Sequence, residues 1–207
     1  MIQILDVGSA GGNEDMIKSY LGEDVEWKIT RLDINPIVKP DIVHDITQPL
    51  PEQYRGQFDI VFCSHMLEHM TRKEVFPAMR HLISGVKNHG EVYIIVPSLE
   101  WCAQQIIEHK DGLAVQGLIF GGERQDNEWD LHKSGWTLNA LRRMMEICGM
   151  IIKRAFQSSI QVSVDGGHFP AVQNVCIGAR VDEINPPKED GETVEPKPER
   201  KSILVEN

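Results

Sequence analysis

Short apolar runs alternate with helical patterns along most of the chain. "IQILDV" (2–7) comes first and runs into the glycine-rich "GSAGG". "VEWKITRLDI" (25–34), "DIVHDI" (41–46), "FDIVFCS" (58–64) and "EVYIIVP" (91–97) follow, each of strand length and bounded by turn residues. A helix is predicted from about Asn13 to Tyr20. "TRKEVFPAMRHLISGV" is amphipathic, with Thr71 and Glu74 at capping-box spacing, Pro77 predicting a kink, and Gly90 closing the next turn. A further helix, "TLNALRRMMEIC" (137–148), is capped by Thr137 and ended by Gly149, with Trp136 and Leu141 placed as a hydrophobic staple. "MIIKRAFQ" (150–157) and "VQNVCIGA" (172–179) read as two more strands. No helix separates them, so they should pair as an antiparallel hairpin at one edge. The early strands are continuously apolar, which calls for cover on both faces. The expected class is α/β, with a seven-stranded, mostly parallel sheet.

After Arg180 the pattern stops. "VDEINPPKEDGETVEPKPERKSILVEN" is rich in Pro, Glu and Lys and lacks large apolar residues until "ILV". The expectation is one domain over 1–181 and a disordered acidic tail over 182–207, whose end "SILVEN" is expected to be unstructured, with docking to a protein partner as the alternative.

Composition narrows the choice of function. The chain has 207 residues, 41% hydrophobic and 25% charged, with a formal net charge of −10 and no dense Lys/Arg block. That argues against binding a nucleic-acid backbone or an anionic membrane surface, both of which need clustered positive charge. Cys63, Cys102, Cys148 and Cys176 are scattered, mostly inside apolar runs, and read as reduced, buried thiols. With no signal-peptide pattern and no apolar run of bilayer length, a cytoplasmic location is expected.

The glycine-rich turn carries the first candidate chemistry. It follows a strand and precedes a helix, so its amides face a ligand at the carboxyl edge of the sheet. A dinucleotide fingerprint would need glycine at 8, 10 and 13, where this chain has Gly8, Ala10 and Asn13. Three aspartates instead end successive strands: Asp6, Asp33 and Asp45. Carboxylates around a glycine turn, without a phosphate-binding lysine, describe a pocket for a cationic nucleoside.

Here the sequence resembles the class I S-adenosylmethionine-dependent methyltransferases, especially the small type 11 group, over nearly everything from Ile2 to Ala179. "LDVGSAGG", "LDINP", "DIVHDITQPLP", "FDIVFCSHMLEHM", "NHGEVYIIVPS" and "LHKSGWTLNALRRMMEICGM" carry the resemblance. It implies a Rossmann-like sheet with an antiparallel edge hairpin and helices on both faces. It also implies S-adenosylmethionine as cofactor. Asp6 and the backbone of Gly8, Ser9, Ala10 and Gly12 would hold its methionine part. Asp33 would accept from the ribose hydroxyls with Ile34 on the adenine, Asp45 would meet the adenine amino group beside Ile46, and Ser64 would lie near the sulfonium. Two departures from the family are Ala10, where glycine is commoner, and a first strand that begins at residue 2, where the family usually has a helix covering the cofactor.

"HMLEH" (65–69) has the H-x-x-E-H spacing by which one class of zinc peptidases holds its metal. Such an enzyme also needs a long helix through the string and a ligand downstream. Here the string follows a strand, and similar methyltransferases show "LEH" at this place. Some O-methyltransferases carry E-x-x-E-H there and bind a divalent cation. His65 stands in place of their first glutamate, and although His65, Glu68 and His69 suit Zn or Mn, no metal is assigned.

The acceptor side is expected in "GGERQDNEWDLHKSGWT" (121–137), a polar, glycine-flanked loop after the fifth strand. His132 is the first candidate for a general base, His65 the second and His168 the third. The "NPP" at 185–187 resembles a DNA-methyltransferase signature but lies in the tail and is coincidental. The expected reaction moves the methyl group of S-adenosylmethionine to an O or N atom of a small molecule: a sugar, lipid precursor or metabolite. The competing readings are a catalytically silent cofactor-binding module acting through a partner, and a metal-assisted O-methyltransferase.

The composition of the tail generates a test. A chain ending near Asp182 should melt at the temperature of the full chain, because the missing residues cannot offset the entropy of ordering. A fall of several degrees on truncation would show that the tail packs on the domain.

Overall fold

The computed structural model describes residues 1–8, 10, 12–22, 25–110, 112–122, 130–164 and 167–181. The tail and its terminal segment lie outside these. The described residues form a seven-stranded sheet: β1 (Ile2–Val7), β2 (Trp27–Asp33), β3 (Ile42–Val43), β4 (Phe58–Ser64), β5 (Val86–Pro97), β6 (Met150–Val164) and β7 (Gly167–Arg180). Their spatial order is β3-β2-β1-β4-β5-β7-β6. Strands β1 to β5 pair in parallel, while β7 runs antiparallel to both β5 and β6. The order reverses between β1 and β4, so a crevice opens at their carboxyl ends, where ligands bind in open sheets of this kind.

Alternation along each strand divides the core into two layers. Leu5 and Val7 of β1, Val61 and Cys63 of β4, and Val92 and Ile94 of β5 pack on one face. That layer is closed by Val75, Met79 and Leu82 of α2 (Arg72–Gly85) and by Leu141 and Met145 of α5 (Leu138–Ile147). Ile4, Ile60, Phe62, Tyr93 and Ile95 face the other way, against Ile17 of α1 (Glu14–Leu21). Asp6 and Ser64 continue this second set by two-residue periodicity. Two polar side chains are thereby delivered to the α1 side, at the carboxyl edge.

The helix ends show why these segments fold where they do. Thr71 N donates to Glu74 Oε2 at 2.7 Å at the start of α2, and Pro77 lies within one continuous helical segment. Thr137 Oγ1 accepts from Ala140 N at 3.1 Å, and Trp136 and Leu141 are both buried in the same cluster, as a staple requires. α3 (Leu99–Ile107) starts at Ser98, whose Oγ accepts from Trp101 N at 3.2 Å. α4 (Leu113–Phe120) is apolar nearly all round. Neither α3 nor α4 is anticipated in the sequence reading.

Two strands are shorter than expected, β2 by three residues and β3, which keeps only Ile42–Val43 of the run 41–46, while β5, β6 and β7 are longer. β5 begins five residues early, at Val86. Its register with β4 jumps between Phe58–Val86 and Ile60–Glu91, so regular pairing starts where the strand was expected. β6 and β7 extend through most of the segment expected to be their loop, and their outer parts pair only with each other, past Gln173, beyond the end of β5. No helix among the described residues is long and apolar enough to cross a membrane.

Candidate functional site

The turn after β1 is held by carboxylates. Asp6 is fully buried, and its two oxygens accept from the side-chain amide of Asn13 at 2.8 Å and from Asn13 N at 3.3 Å. Asn13 precedes α1, so Asp6 fixes where that helix begins. Asp33, at the end of β2, accepts from Ala10 N at 3.1 Å and from Asn35 N at 2.9 Å. The glycine turn and the second strand end are thus tied through one carboxylate. Ala10 has φ +42°, a left-handed conformation that favours glycine, and its bond to Asp33 offsets part of that strain.

Gly8 joins this turn to the next one. Its φ is +69°, and a Cβ at this position would lie 2.8 Å from Met66 Cγ. Met66 belongs to "HMLEH", so the turn after β1 and the turn after β4 are in direct contact at a residue that has no side chain. Ser64 is buried beneath α1, with its Oγ 3.2 Å from Met16 Sδ. Ile34 is partly exposed beside Asp33. Asp45 Oδ1 caps its own turn by accepting from Thr47 N at 2.9 Å, and Ile46 is buried in the larger core layer, which gives its side chain a packing role. Ser9 lies outside the described residues.

A second group forms around Glu68, in the one-turn 3-10 segment Leu67–His69. Glu68 is 2% exposed, and neither carboxylate oxygen accepts a well-formed hydrogen bond from the described residues. His65 Nδ1 stands 3.2 Å from Oε1. The main-chain oxygen of Glu68 accepts from Lys133 N at 2.7 Å and Ser134 N at 3.0 Å, while Ser134 Oγ donates to Leu67 O at 3.1 Å. These bonds draw the end of the 121–137 segment across the turn. His132 arrives beside His69, with ring centroids 4.8 Å apart and nearly perpendicular.

The imidazoles play different parts. His65 has φ +51°, and its Nε2 meets Gln173 Oε1 at 3.0 Å. Burial works against its charge, but the Glu68 carboxylate outweighs this and holds its pKa above the ordinary value. Burial alone would raise Glu68; the histidines around it, His65 first, hold it low. For His132 burial dominates and pushes the pKa down, against the pull of Glu68. Its Nδ1 lies 3.0 Å from Leu118 O, so Nδ1 carries the proton and Nε2 keeps a lone pair. His168 is exposed on β7, well away from this group.

Glu68, His132, Ser134, Trp136, Cys102 and Phe120 line a cavity of about 250 Å³. Its walls are largely apolar, and its polar groups converge at Glu68 and His132, the pattern of a small-molecule site. What the sequence does not show is Glu68 as the centre: the string is visible, but not that its carboxylate turns inward among the imidazoles of His65, His69 and His132.

The topology, the two aspartate-bounded turns and the cavity at one carboxyl edge define the fold of the class I S-adenosylmethionine-dependent methyltransferases. Particular solved structures make this concrete. An S-adenosylmethionine-dependent methyltransferase from Methanosarcina mazei matches with a TM-score of 0.61 over 87% of this chain and 92% of that one, at 14% identity. A protein described for the conversion of a disulfide bond into a thioacetal during echinomycin biosynthesis gives 0.59 over 87% and 77%, at 15% identity. The 1,6-didemethyltoxoflavin N1-methyltransferase of Burkholderia thailandensis, with bound 1,6-didemethyltoxoflavin and S-adenosylhomocysteine, gives 0.53 over 87% and 72%, at 13% identity. No family model and no curated protein matches the sequence.

Asp6 provides a test of this site's electrostatics. Burial raises its pKa from 3.8 to about 6, with the Asn13 bonds opposing. Because the folded value lies above the unfolded one, the stability Asp6 contributes is full below pH 4 and is lost as pH rises through about 6. The loss is roughly 3 kcal/mol at 1.36 kcal/mol per unit. Asp6→Asn should flatten that part of the stability profile in denaturant titrations between pH 4 and 7. An unchanged profile would mean that Asp6 does not titrate in this window.

Proposed function

We propose that the chain transfers the methyl group of S-adenosylmethionine to an oxygen or nitrogen atom of a small-molecule acceptor seated in the 250 Å³ cavity. The observation that carries the reading is the contact of Gly8 with Met66, which sets the aspartate-held turn against the Glu68 turn. A donor site and an acceptor cavity are thereby neighbours at one sheet edge.

The residues fit the cofactor. A buried Asp6 with a raised pKa is a carboxyl made costly to ionise, and a cationic ligand end offsets that cost. Asp33 spends one lone pair of each oxygen on the backbone and keeps others for ribose hydroxyls. When bound, S-adenosylmethionine supplies an electrophilic methyl group on a sulfonium that leaves as a neutral thioether. The protein's share is alignment and a dry, polarised site. Trp136, Leu118 and Phe120 give the cavity apolar walls, and His132 presents the Nε2 lone pair to the acceptor's O–H or N–H. His65 takes a different role in this reading from the one expected: bound to Gln173 and set against Glu68, it positions the carboxylate.

The negative net charge, a cavity of metabolite size and the absence of a basic cluster from the sequence support a small acceptor over a nucleic acid. A cytoplasmic setting and a partner for the tail remain part of the same proposal, on the strength of the sequence alone.

Two substitutions separate the halves of the site. Asp33→Ala should weaken S-adenosylmethionine binding by roughly 1.5–3 kcal/mol in calorimetry, the worth of hydrogen bonds to a charged group. Asp130→Ala should leave it unchanged. His132→Ala should keep cofactor affinity but lower turnover on the true acceptor about 10²–10⁴-fold. Normal turnover by that variant would remove His132 from the chemistry.

A further inference from the structure

The cavity's polar end has the make-up of a metal site. Glu68, His69 and His132 each offer one ligand atom, and these atoms all lie within 4.8 Å of one another. Three features distinguish this group from a chance cluster. First, Glu68 is 98% removed from solvent, with His65 Nδ1 3.2 Å from Oε1 and neither oxygen accepting a well-formed hydrogen bond from the described residues. A buried carboxylate needs its charge answered, and a metal ion at its flank would answer it beside the His65 pair. Second, both imidazoles are anchored through the same nitrogen. His69 Nδ1 lies 3.3 Å from Leu131 O, and His132 Nδ1 lies 3.0 Å from Leu118 O. A ring nitrogen facing a carbonyl carries the proton, so each Nε2 is a free lone pair. Metal-ligating histidines are held in the same way, with the second ring nitrogen donating to a carbonyl or carboxylate. Third, Glu68 and His132 line the cavity, which leaves an open side for an acceptor atom.

We infer that Glu68, His69 and His132 form a site for a single divalent first-row cation of the Zn²⁺ or Mn²⁺ class. One carboxylate and two imidazoles with open positions suit such ions, whereas Mg²⁺ and Ca²⁺ prefer oxygen ligands. The set differs from the one weighed in the sequence, because His65 is turned to Gln173 and His132 takes its place. Resting on the methyl-transfer reading, the cation deepens it: held at the cavity, it would bind the acceptor's oxygen and lower its pKa, so that the proton passes to solvent water before the oxygen bonds to the methyl carbon and the sulfur leaves as a neutral thioether. The single Nε2 lone pair of His132 then belongs to the cation, so in the metal-loaded protein a ligand role replaces the base role given to it above.

The test uses the full chain, freed of metal by a chelator and titrated with Zn²⁺ in a calorimeter. One ion per chain should bind, and the melting temperature should rise with Zn²⁺ concentration, since the unfolded chain lacks the assembled site. Glu68→Gln, His69→Ala and His132→Ala should each weaken binding by roughly 100-fold or more, beyond the 10–100-fold typical of outer-shell partners. His89→Ala, exposed at the start of β5 on the opposite sheet edge, should bind as the parent does. Co²⁺ serves as a spectroscopic probe: its visible bands should appear with the parent and be absent with His132→Ala. Binding below stoichiometry by the parent, or equal binding by the parent and His132→Ala, overturns the site. The parent's Zn²⁺ titration and melting shift decide the matter even where a variant fails to fold. S-adenosylmethionine is titrated alongside. Its binding without Zn²⁺ binding would refute the metal site and leave the methyl-transfer reading standing, and the reverse would refute that reading alone.

Discussion

A carboxylate can leave water only where something answers its charge. Glu68 is the place in this protein where that constraint is tightest, and the surrounding structure is arranged about it. Its own main-chain oxygen collects the amides of Lys133 and Ser134, its side chain is met by His65, and His69 and His132 stand at its flank. The turn carrying it is packed against Gly8 by Met66. Displacing Glu68 would therefore loosen the acceptor segment and the glycine turn together.

Much of the fold was legible in the sequence because the strands are short, apolar and punctuated. β1 and β4 coincide with the expected runs, and the antiparallel hairpin follows from the missing helix between its strands. α3 and α4 were not legible: "LAVQGLIF" shows no polar face from which a helical period can be read. The hairpin's extra length was hidden because "SSIQVSVDGGHFPA" is polar enough to read as loop, whereas its main chain pairs across both strands.

The site was legible in proportion to how local it is. Asp6, Asp33 and the glycine turn lie at strand ends, where α/β sheets bind ligands, and the structure links all three. The meeting of Glu68 with His132 depends on backbone bonds between distant segments, which no spacing announces. Within "HMLEH" the first histidine lies between Gln173 and Glu68, while Glu68 and His69 come together with His132, a grouping that the spacing of the string does not show. Local strain marks the same region: Ala10 and His65 both have positive φ, and Asp6 is buried at a cost.

The long hairpin has a bearing on how the molecule meets its own copies. β6 borders the sheet over Met150–Val164, so the outer side of its ladder offers unspent main-chain hydrogen bonds to any extended strand. The bulge between Ile152 and Arg154, with the exposed cations of Lys153 and Arg154, breaks that template near its start. From Ala155 to Val162 the pairing with β7 is regular and no cation interrupts it. Edge-to-edge pairing between copies would therefore find its opening in this eight-residue stretch, and a single lysine placed on its outward face would extend the guard along the border.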